Sequence, residues 1–453
     1  MTTNNLREII LGILLDINRD GVKSHIAIGN TLNKFQYLSK QERSFIARVC
    51  EGTVEQMIYI DYVIDQFSSV KVQKMKPVIQ NLLRSAVYQI LFMDSVPDSA
   101  ACNEAVKLAQ KKGFYSLKGF VNGVLRSIVR GREEIEFPNP DNPMEYLSIV
   151  YSMPRWLVKR WSDEFGSVVT EQMLQQFLKE HPTTVRFKTD HIDAETIIES
   201  LKKQGVTVTP AAYLPYAYEI SNYNYLQGLE AFAKGWIYVQ DVSSMLVGEV
   251  AAPKAGDYII DLCAAPGGKS LHVADKLGSF GMVEARDLSD YKVALIQDNI
   301  QRMDLINVKA VLADATVFDG SIAEKADIVL ADVPCSGMGV IGNKPDIKYN
   351  LSSLQVEELV LLQRKILHNA ASYVKPGGTL VFSTCTIGKK ENQENVQWFL
   401  EQYPFQLDDL NPYLPEELHG ETTEKGYLQL LPGVHKTDGF FLARFKKESD
   451  GKS

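Results

Sequence analysis

The sequence predicts a multidomain protein: an all-α N-terminal domain, a small α/β module, and a C-terminal α/β domain built on a parallel sheet. Three observations predict it. Residues 1–135 carry apolar positions at helical spacing and no strand-like alternation, residues 236–447 carry short Val, Ile and Leu runs alternating with helical segments, and residues 146–235 mix the two signals. At 453 residues the chain is also too long for one ordinary core.

In the first domain the helical spacing runs through Ile9 to Ile17, Phe45 to Ile64 and Val78 to Phe92. A further helix over 120–130 places Val121, Val124, Leu125 and Ile128 on one face and Arg126 and Arg130 on the other. Three prolines between Phe137 and Pro143 break any helix and set a linker near 133–145. The module reads as a helix around Trp156 to Glu164, a strand at Thr184 to Lys188, a helix at Ala194 to Gln204 and an aromatic-rich stretch from Tyr213 to Tyr225. In the last domain the candidate strands are Tyr258 to Leu262, Gly281 to Ala285, Asn307 to Leu312, Ile328 to Ala331 and Thr379 to Ser383. Helices at Lys269 to Leu277, Tyr291 to Met303 and Leu354 to Val374 lie between them, and Lys375-Pro376-Gly377-Gly378 stops the last.

Composition bounds the function. With 45% hydrophobic and 23% charged residues and no apolar run long enough to span a bilayer, a soluble cytoplasmic protein is expected, with no membrane partner. The five cysteines, Cys50, Cys102, Cys263, Cys335 and Cys385, form no Cys-x-x-Cys knuckle, so reduced thiols and no metal site are expected. Cys50 and Cys102 lie in apolar helical segments and read as small buried hydrophobes. The net charge of −8 is uneven: residues 1–132 hold 18 basic against 11 acidic residues, +7, which leaves −15 for the rest. Lys111, Lys112, Lys118, Arg126, Arg130 and Arg132 follow one another with no acid between them, which is either a solvated helix face or a nucleic-acid surface.

Chemistry concentrates after the predicted strands of the last domain. The first strand runs into Cys263-Ala264-Ala265-Pro266-Gly267-Gly268-Lys269, whose small residues let backbone approach a nucleotide-like ligand. A P-loop would need glycine where Cys263 stands, and the Gly-x-Gly-x-x-Gly dinucleotide pattern is absent. S-adenosylmethionine remains, with Asp287 after the second strand placed for ribose hydroxyls and Asp314 after the third for the adenine amino group. Two thiols follow later strands, in Asp332-Val333-Pro334-Cys335-Ser336-Gly337 and Ser383-Thr384-Cys385-Thr386. A pair of thiols with neither metal nor disulfide suits addition to a pyrimidine ring and later release.

These motifs, with Asp261-Leu262 leading into the first and Glu391-Asn392 and Thr437-Asp438-Gly439-Phe440-Phe441 beyond them, resemble the RNA cytosine-5 methyltransferases of the ribosomal small subunit. Val96-Pro97, Asn103-Glu104-Ala105-Val106 and the 120–126 segment resemble the NusB family. The resemblance implies a NusB-like helical RNA-binding domain (1–135), a small α/β RNA-recognition module (146–235) and a Rossmann-like S-adenosylmethionine-dependent methyltransferase domain (236–447). It implies Cys385 as the thiolate that attacks cytosine C6, Cys335 as the thiol that assists release, and Asp332 as hydrogen-bond or proton donor to N3, beside the cofactor. The implied partner is small-subunit ribosomal RNA presenting an unstacked cytosine. Val333 stands where the family usually has Ala, and Gly342 and Asn343 stand where two arginines are common, which leaves Lys344 as the nearby cation.

Overall fold

The computed structural model describes residues 5–180, 182–189, 192–278 and 280–449. Their contacts divide the chain into two compact units, residues 1–179 with 341–350, and residues 180–340 with 351–453. The division at 179/180 falls inside the segment expected as one module.

The first unit is all helical. Helices α1 (Leu6–Asn18), α2 (Ser24–Lys34), α3 (Lys40–Glu55), α4 (Met57–Phe67), α5 (Pro77–Phe92), α6 (Asp98–Lys111) and α7 (Lys118–Arg130) enclose one apolar core. The ends are set locally: the Asn5 side chain caps α1, and Ser39 with Glu42 forms a capping box on α3. Helices α8 (Pro143–Val150), α9 (Arg155–Phe165) and α10 (Ser167–Phe177) follow.

Two expectations are corrected here. The run from Phe45 to Ile64 is not one helix but breaks at Gln56, because its mid-helix polar groups are claimed from elsewhere in the unit. The Ile58 amide donates to Ser152 Oγ at 3.0 Å, Tyr349 Oη donates to the Val54 carbonyl at 2.8 Å, and Lys348 Nζ donates to the Glu55 carbonyl at 2.7 Å. Those carbonyls would otherwise serve residues 58 and 59 of a continuous helix. The basic run 111–132 is free of acids in sequence but not in space: Lys111 and Lys112 share Glu8, and Arg132 pairs with Asp98. Arg126 and Arg130 are exposed on α7, opposite the buried Val121, Val124, Leu125 and Ile128.

The second unit holds two sheets. Strands β1 (Thr183–Phe187), β2 (Thr207–Pro210), β3 (Ala217–Ser221) and β4 (Ile237–Val239) pair antiparallel in the order β2-β3-β1-β4, with α11 (Ala194–Lys203) packed on them through Ile197 and Leu201. Next come α12 (Val242–Ala251), β5 (Tyr258–Asp261), α13 (Gly268–Leu277), β6 (Met282–Asp287), α14 (Asp290–Arg302), β7 (Val308–Leu312), β8 (Ala326–Asp332), α15 (Ser353–Tyr373), β9 (Val374–Thr384), α16 (Gln393–Gln402), β10 (Phe405–Leu407), β11 (Tyr427–Leu430) and β12 (Phe440–Lys447). The large sheet runs β10-β12-β9-β8-β5-β6-β7, with β11 on β12. It is parallel from β9 to β7 and antiparallel where β12 joins β9, so the sheet is mixed where the sequence predicted a parallel one. The small sheet is fastened to α13 by a buried ion pair, Arg186 to Asp275 at 2.5 Å. Its last strand is fastened to α14 by Arg302, which donates to the carbonyls of Phe232 and Ile237. Among the described residues no helix is long and apolar enough to cross a membrane.

Burial pushes the Lys348 amine down to about 7 from an ordinary value of 10.5. Between those values the unfolded chain binds the extra proton, so the first unit should gain stability as pH rises from 7 toward 10, by up to about 1.4 kcal/mol per pH unit. Urea midpoints at pH 7 and 9.5 check this. Lys348→Met should flatten the dependence, and an equal slope in both proteins would refute it.

Candidate active site

The sheet changes direction between β5 and β8: the chain steps from β5 outward to β6 and β7, then returns to the other side of β5 with β8 and β9. Ligands of open α/β sheets bind at the carboxyl ends of strands at such a switch point. Each sequence-predicted site residue ends one of these five strands, as Asp287 and Asp332 do, or follows its carboxyl end.

After β5, residues 262–267 form the loop into α13. Gly267 has φ of 112°, which a side chain would strain, and Gly268 opens the helix. The loop is anchored to the next strand by the Ala265 amide, which donates to Asp287 Oδ2 at 3.0 Å. Asp287 Oδ1 accepts from the Leu288 amide at 2.7 Å and pairs with Lys292 at 2.9 Å. Asp314, beyond β7, is exposed and bonds locally to Thr316, which holds its carboxyl below the usual carboxylate range. It has no bond to the other site residues. Burial, with three carboxylates near, pushes the Cys263 thiol well up, so this cysteine is a wall of the loop and a poor nucleophile.

Lys269 of α13 reaches across to β8 and donates to Asp332 Oδ2 at 2.6 Å, while Ser383 of β9 donates to Asp332 Oδ1 at 2.8 Å. Burial alone would disfavour the Lys269 ammonium, but Asp332, with Asp261 and Cys385 behind it, outweighs that and raises its pKa. Asp261, the last residue of β5, is a member of this charge cluster that the motif contained but to which the sequence assigned no role. Its Oδ2 accepts from Ser270 at 2.6 Å, its Oδ1 is buried with no partner, and burial, reinforced by Asp332, pushes the carboxyl up to about 7. The signal for it was an acid ending the first sheet strand directly before a glycine loop.

The two thiols meet. β8 and β9 pair in parallel with Asp332 opposite Ser383, and the Val333 amide extends the ladder to the Ser383 carbonyl at 3.2 Å. Beyond the strand ends the chains converge until Cys335 Sγ and Cys385 Sγ are 3.2 Å apart, both half-buried. The Gly339 amide donates to the Cys385 carbonyl at 3.0 Å, and a Cβ on Gly339 would lie 1.8 Å from the Gly439 carbonyl oxygen. Asn392 clasps the second motif, accepting from Thr384 Oγ1 at 2.6 Å and donating to the Thr386 carbonyl at 3.1 Å.

Residues 249–446 match the family model described as 16S rRNA methyltransferase RsmB/F, residues 4–130 the NusB family, and residues 153–224 the ferredoxin-like domain of RsmF/B-like methyltransferases. The chain is 35% identical, over 99% of its length and 100% of the relative's, to a probable ribosomal RNA small subunit methyltransferase B of Bacillus subtilis. The chain belongs to the RsmB family of 16S rRNA methyltransferases. A family relative in Synechocystis is 31% identical over 97% of this chain and 99% of its own. The crystal structure of PH0851 superposes with a TM-score of 0.83 at 29% identity, covering 98% of this chain and 99% of the other. RsmB-family enzymes depend on S-adenosylmethionine, and β1, β2, β3 and α11 fall within the stretch matched by the family's ferredoxin-like domain.

Because the atom facing Gly339 belongs to backbone, no side chain can swing away from an added methyl. Gly339→Ala should destabilise the protein by about 1–3 kcal/mol or more. It should also part the two thiols. Urea unfolding checks the first effect, and loss of chemical cross-linking between Cys335 and Cys385 checks the second; wild-type values for both would show that the loop yields freely.

Proposed function

We propose that this enzyme methylates C5 of a cytosine in small-subunit ribosomal RNA through a transient bond between Cys385 and C6. The observation that supports this best is the pair of thiols 3.2 Å apart, next to the Lys269–Asp332 pair. Cytosine C5 is a weak nucleophile while the ring is conjugated. Addition of the Cys385 thiolate at C6 interrupts the conjugation and leaves an enamine at C5. Lys269 offers positive charge to both Cys385 and Asp332. Asp332, which accepts from Lys269 and Ser383, is the group to pass the Lys269 proton on toward N3 as charge develops there. Cys335 serves the release step, in which the C5 proton leaves and the bond from Cys385 to C6 breaks. A DNA-type mechanism would make Cys335 the nucleophile and give Cys385 no task.

S-adenosylmethionine supplies the methyl group, activated by its sulfonium. The loop 263–269, Asp287, Asp314 and Asp332 are proposed to hold it. The unpartnered Oδ1 of Asp261 fits a cationic part of such a ligand, and the glycine pair leaves room for close backbone approach. Residues 1–135 are proposed to supply RNA affinity, with Arg126 and Arg130 as its exposed cations, residues 146–235 to help present the RNA, and residues 236–447 to carry the chemistry. The place of action is proposed to be the cytoplasm, where the thiols stay reduced.

Without ligand Asp261 is half protonated near pH 7, whereas a cation beside it requires the carboxylate. Affinity for S-adenosylmethionine should therefore fall below pH 7, by up to about tenfold per unit. Calorimetry in two buffers of different ionisation heat should register a released proton at pH 6.5. Asp261→Asn should bind weakly with no pH dependence, and a wild-type profile in that variant would remove Asp261 from the site.

The cysteine roles separate in two variants. Cys385→Ser should lose methylation and form no covalent complex with RNA, because a hydroxyl is scarcely ionised near neutral pH. Cys335→Ser should allow attack but stall release, so that a protein-RNA adduct accumulates on a denaturing gel. The opposite pattern would reverse the roles, and full activity in both variants would exclude the two-thiol mechanism.

A further inference from the structure

Glu391 presents an unusual arrangement beside the thiols. Its side chain is completely buried, and among the described residues no cation pairs with it. A carboxylate so placed is costly unless hydrogen bonds compensate. Three do. The Ser336 amide donates to Oε1 at 2.9 Å, Ser336 Oγ donates to Oε2 at 2.5 Å, and Gln363 Nε2 of α15 donates to Oε1 at 3.0 Å. Since the Ser336 hydroxyl has one hydrogen and gives it to Glu391, its 2.7 Å contact with Thr386 Oγ1 is a bond donated by Thr386. Ser336 follows Cys335 and Thr386 follows Cys385, so the carboxylate fixes Ser336, and the Ser336–Thr386 hydroxyl bond ties the residue beside one thiol to the residue beside the other. Gln363 closes the network by donating also to the Pro334 carbonyl, on the near side of Cys335.

The two thiols do not face the same charges. Cys335 faces Cys385 from β9 and Glu391 from the turn before α16, and its hydrogen-bonded contact with Cys385, its burial and the Glu391 charge all raise its pKa. Lys269 of α13, bonded to Asp332 of β8, acts on Cys385. Negative charge therefore stands behind one sulfur and positive charge beside the other.

We propose that Glu391 is the positioning residue that divides the labour of the two thiols, holding Cys335 against Cys385 while keeping the proton on Cys335. The proposal rests on the two-thiol reading above. In the addition step Cys335 is the S–H donor to the Cys385 sulfur. In the release step the C5–H bond breaks and its proton passes to Cys335 Sγ, while the proton already on Cys335 passes to Cys385 Sγ. The electron pair of the C5–H bond forms the C5–C6 double bond as the C6–S bond breaks. Both cysteines end as thiols, and no other reactant is consumed.

The first test needs neither RNA nor cofactor. In a Cys385→Ser background, the rate of Cys335 alkylation by iodoacetamide is followed by peptide mass spectrometry from pH 6.5 to 10, with and without Glu391→Gln. Only the thiolate reacts, so removing the charge should lower the midpoint by about one unit and speed alkylation at pH 8 about tenfold. Ser336→Ala, which removes the hydroxyl's hydrogen bonds to Glu391 and Thr386 but leaves the charge, should leave the midpoint in place. Should Glu391→Gln fail to fold, Glu391→Asp withdraws the charge by one methylene and should shift the midpoint the same way by less. An unchanged midpoint in a folded variant overturns the proposal. So does a rate that rises by the same factor at every pH, which would mean a loop that has merely opened. With both cysteines present, RNA carrying 5-fluorocytosine should trap a Cys385 adduct in the wild type and a mixture of Cys335 and Cys385 adducts in Glu391→Gln. Absence of any wild-type adduct would count against the cytosine reading and leave the alkylation result standing.

Discussion

The register of β8 against β9 is the constraint on which the reactive centre depends. Because Asp332 lies opposite Ser383, the two motifs leave the sheet side by side and their sulfurs come within 3.2 Å. A slip of one residue would turn the inward side chains of one strand to the other face. A slip of two would keep the faces but carry one motif about 6.6 Å along the other, beyond contact of the thiols. The register is held by the apolar layers on both sides of the sheet, where Val329, Leu330, Val381 and Phe382 are all fully buried. Packing far from either sulfur therefore sets the distance between the two thiols.

Charge around the centre is unbalanced. Lys269 is bonded to Asp332 with Asp261 close behind, while Glu391 stands beside Cys335 with no cation paired to it among the described residues. Such a site favours added protons or a positively charged ligand over a neutral one. This supports a sulfonium donor, and it explains why one lysine is drawn toward three partners at once. It also separates the roles of residues that a motif would group together: Lys269 closes the glycine-rich sequence, yet its side chain belongs to the thiol side of the site.

Much of this was legible in the sequence where local periodicity and tertiary environment agree. The strands β5 to β9 read correctly because the central ones, β5, β8 and β9, are almost wholly buried and spelled as apolar runs, and the more exposed β6 and β7 still carry Val, Ala and Leu between turn signals. The helix over 120–130 read correctly because one face is apolar and the other is not. Failures came where distant residues decide. Nothing between Phe45 and Ile64 marks the break at Gln56, which is caused by hydroxyl and amine groups from Ser152, Lys348 and Tyr349. The basic run read as unopposed because Glu8 is about a hundred residues away in sequence. At the site, short motifs displayed Cys335, Cys385, Asp332 and Lys269 and carried Asp261 and Glu391 beside them, but the burial that shifts Asp261 and leaves Glu391 without a paired cation is set by tertiary packing, which no local pattern encodes.

Residues 341–350 pack with the helical unit although they follow directly on the Pro-Cys motif of the other. The polypeptide thus passes from one unit to the other three times, and the N-terminal unit is not a bead that recombination could exchange whole. A gene fragment ending at codon 179 would encode ten helices but leave the carbonyls of Val54 and Glu55 without the donors that Tyr349 and Lys348 bring. Any evolutionary loss of the helical unit would strand a ten-residue insert with apolar and basic groups it cannot bury. This shared segment is a physical reason for the two parts to be inherited together.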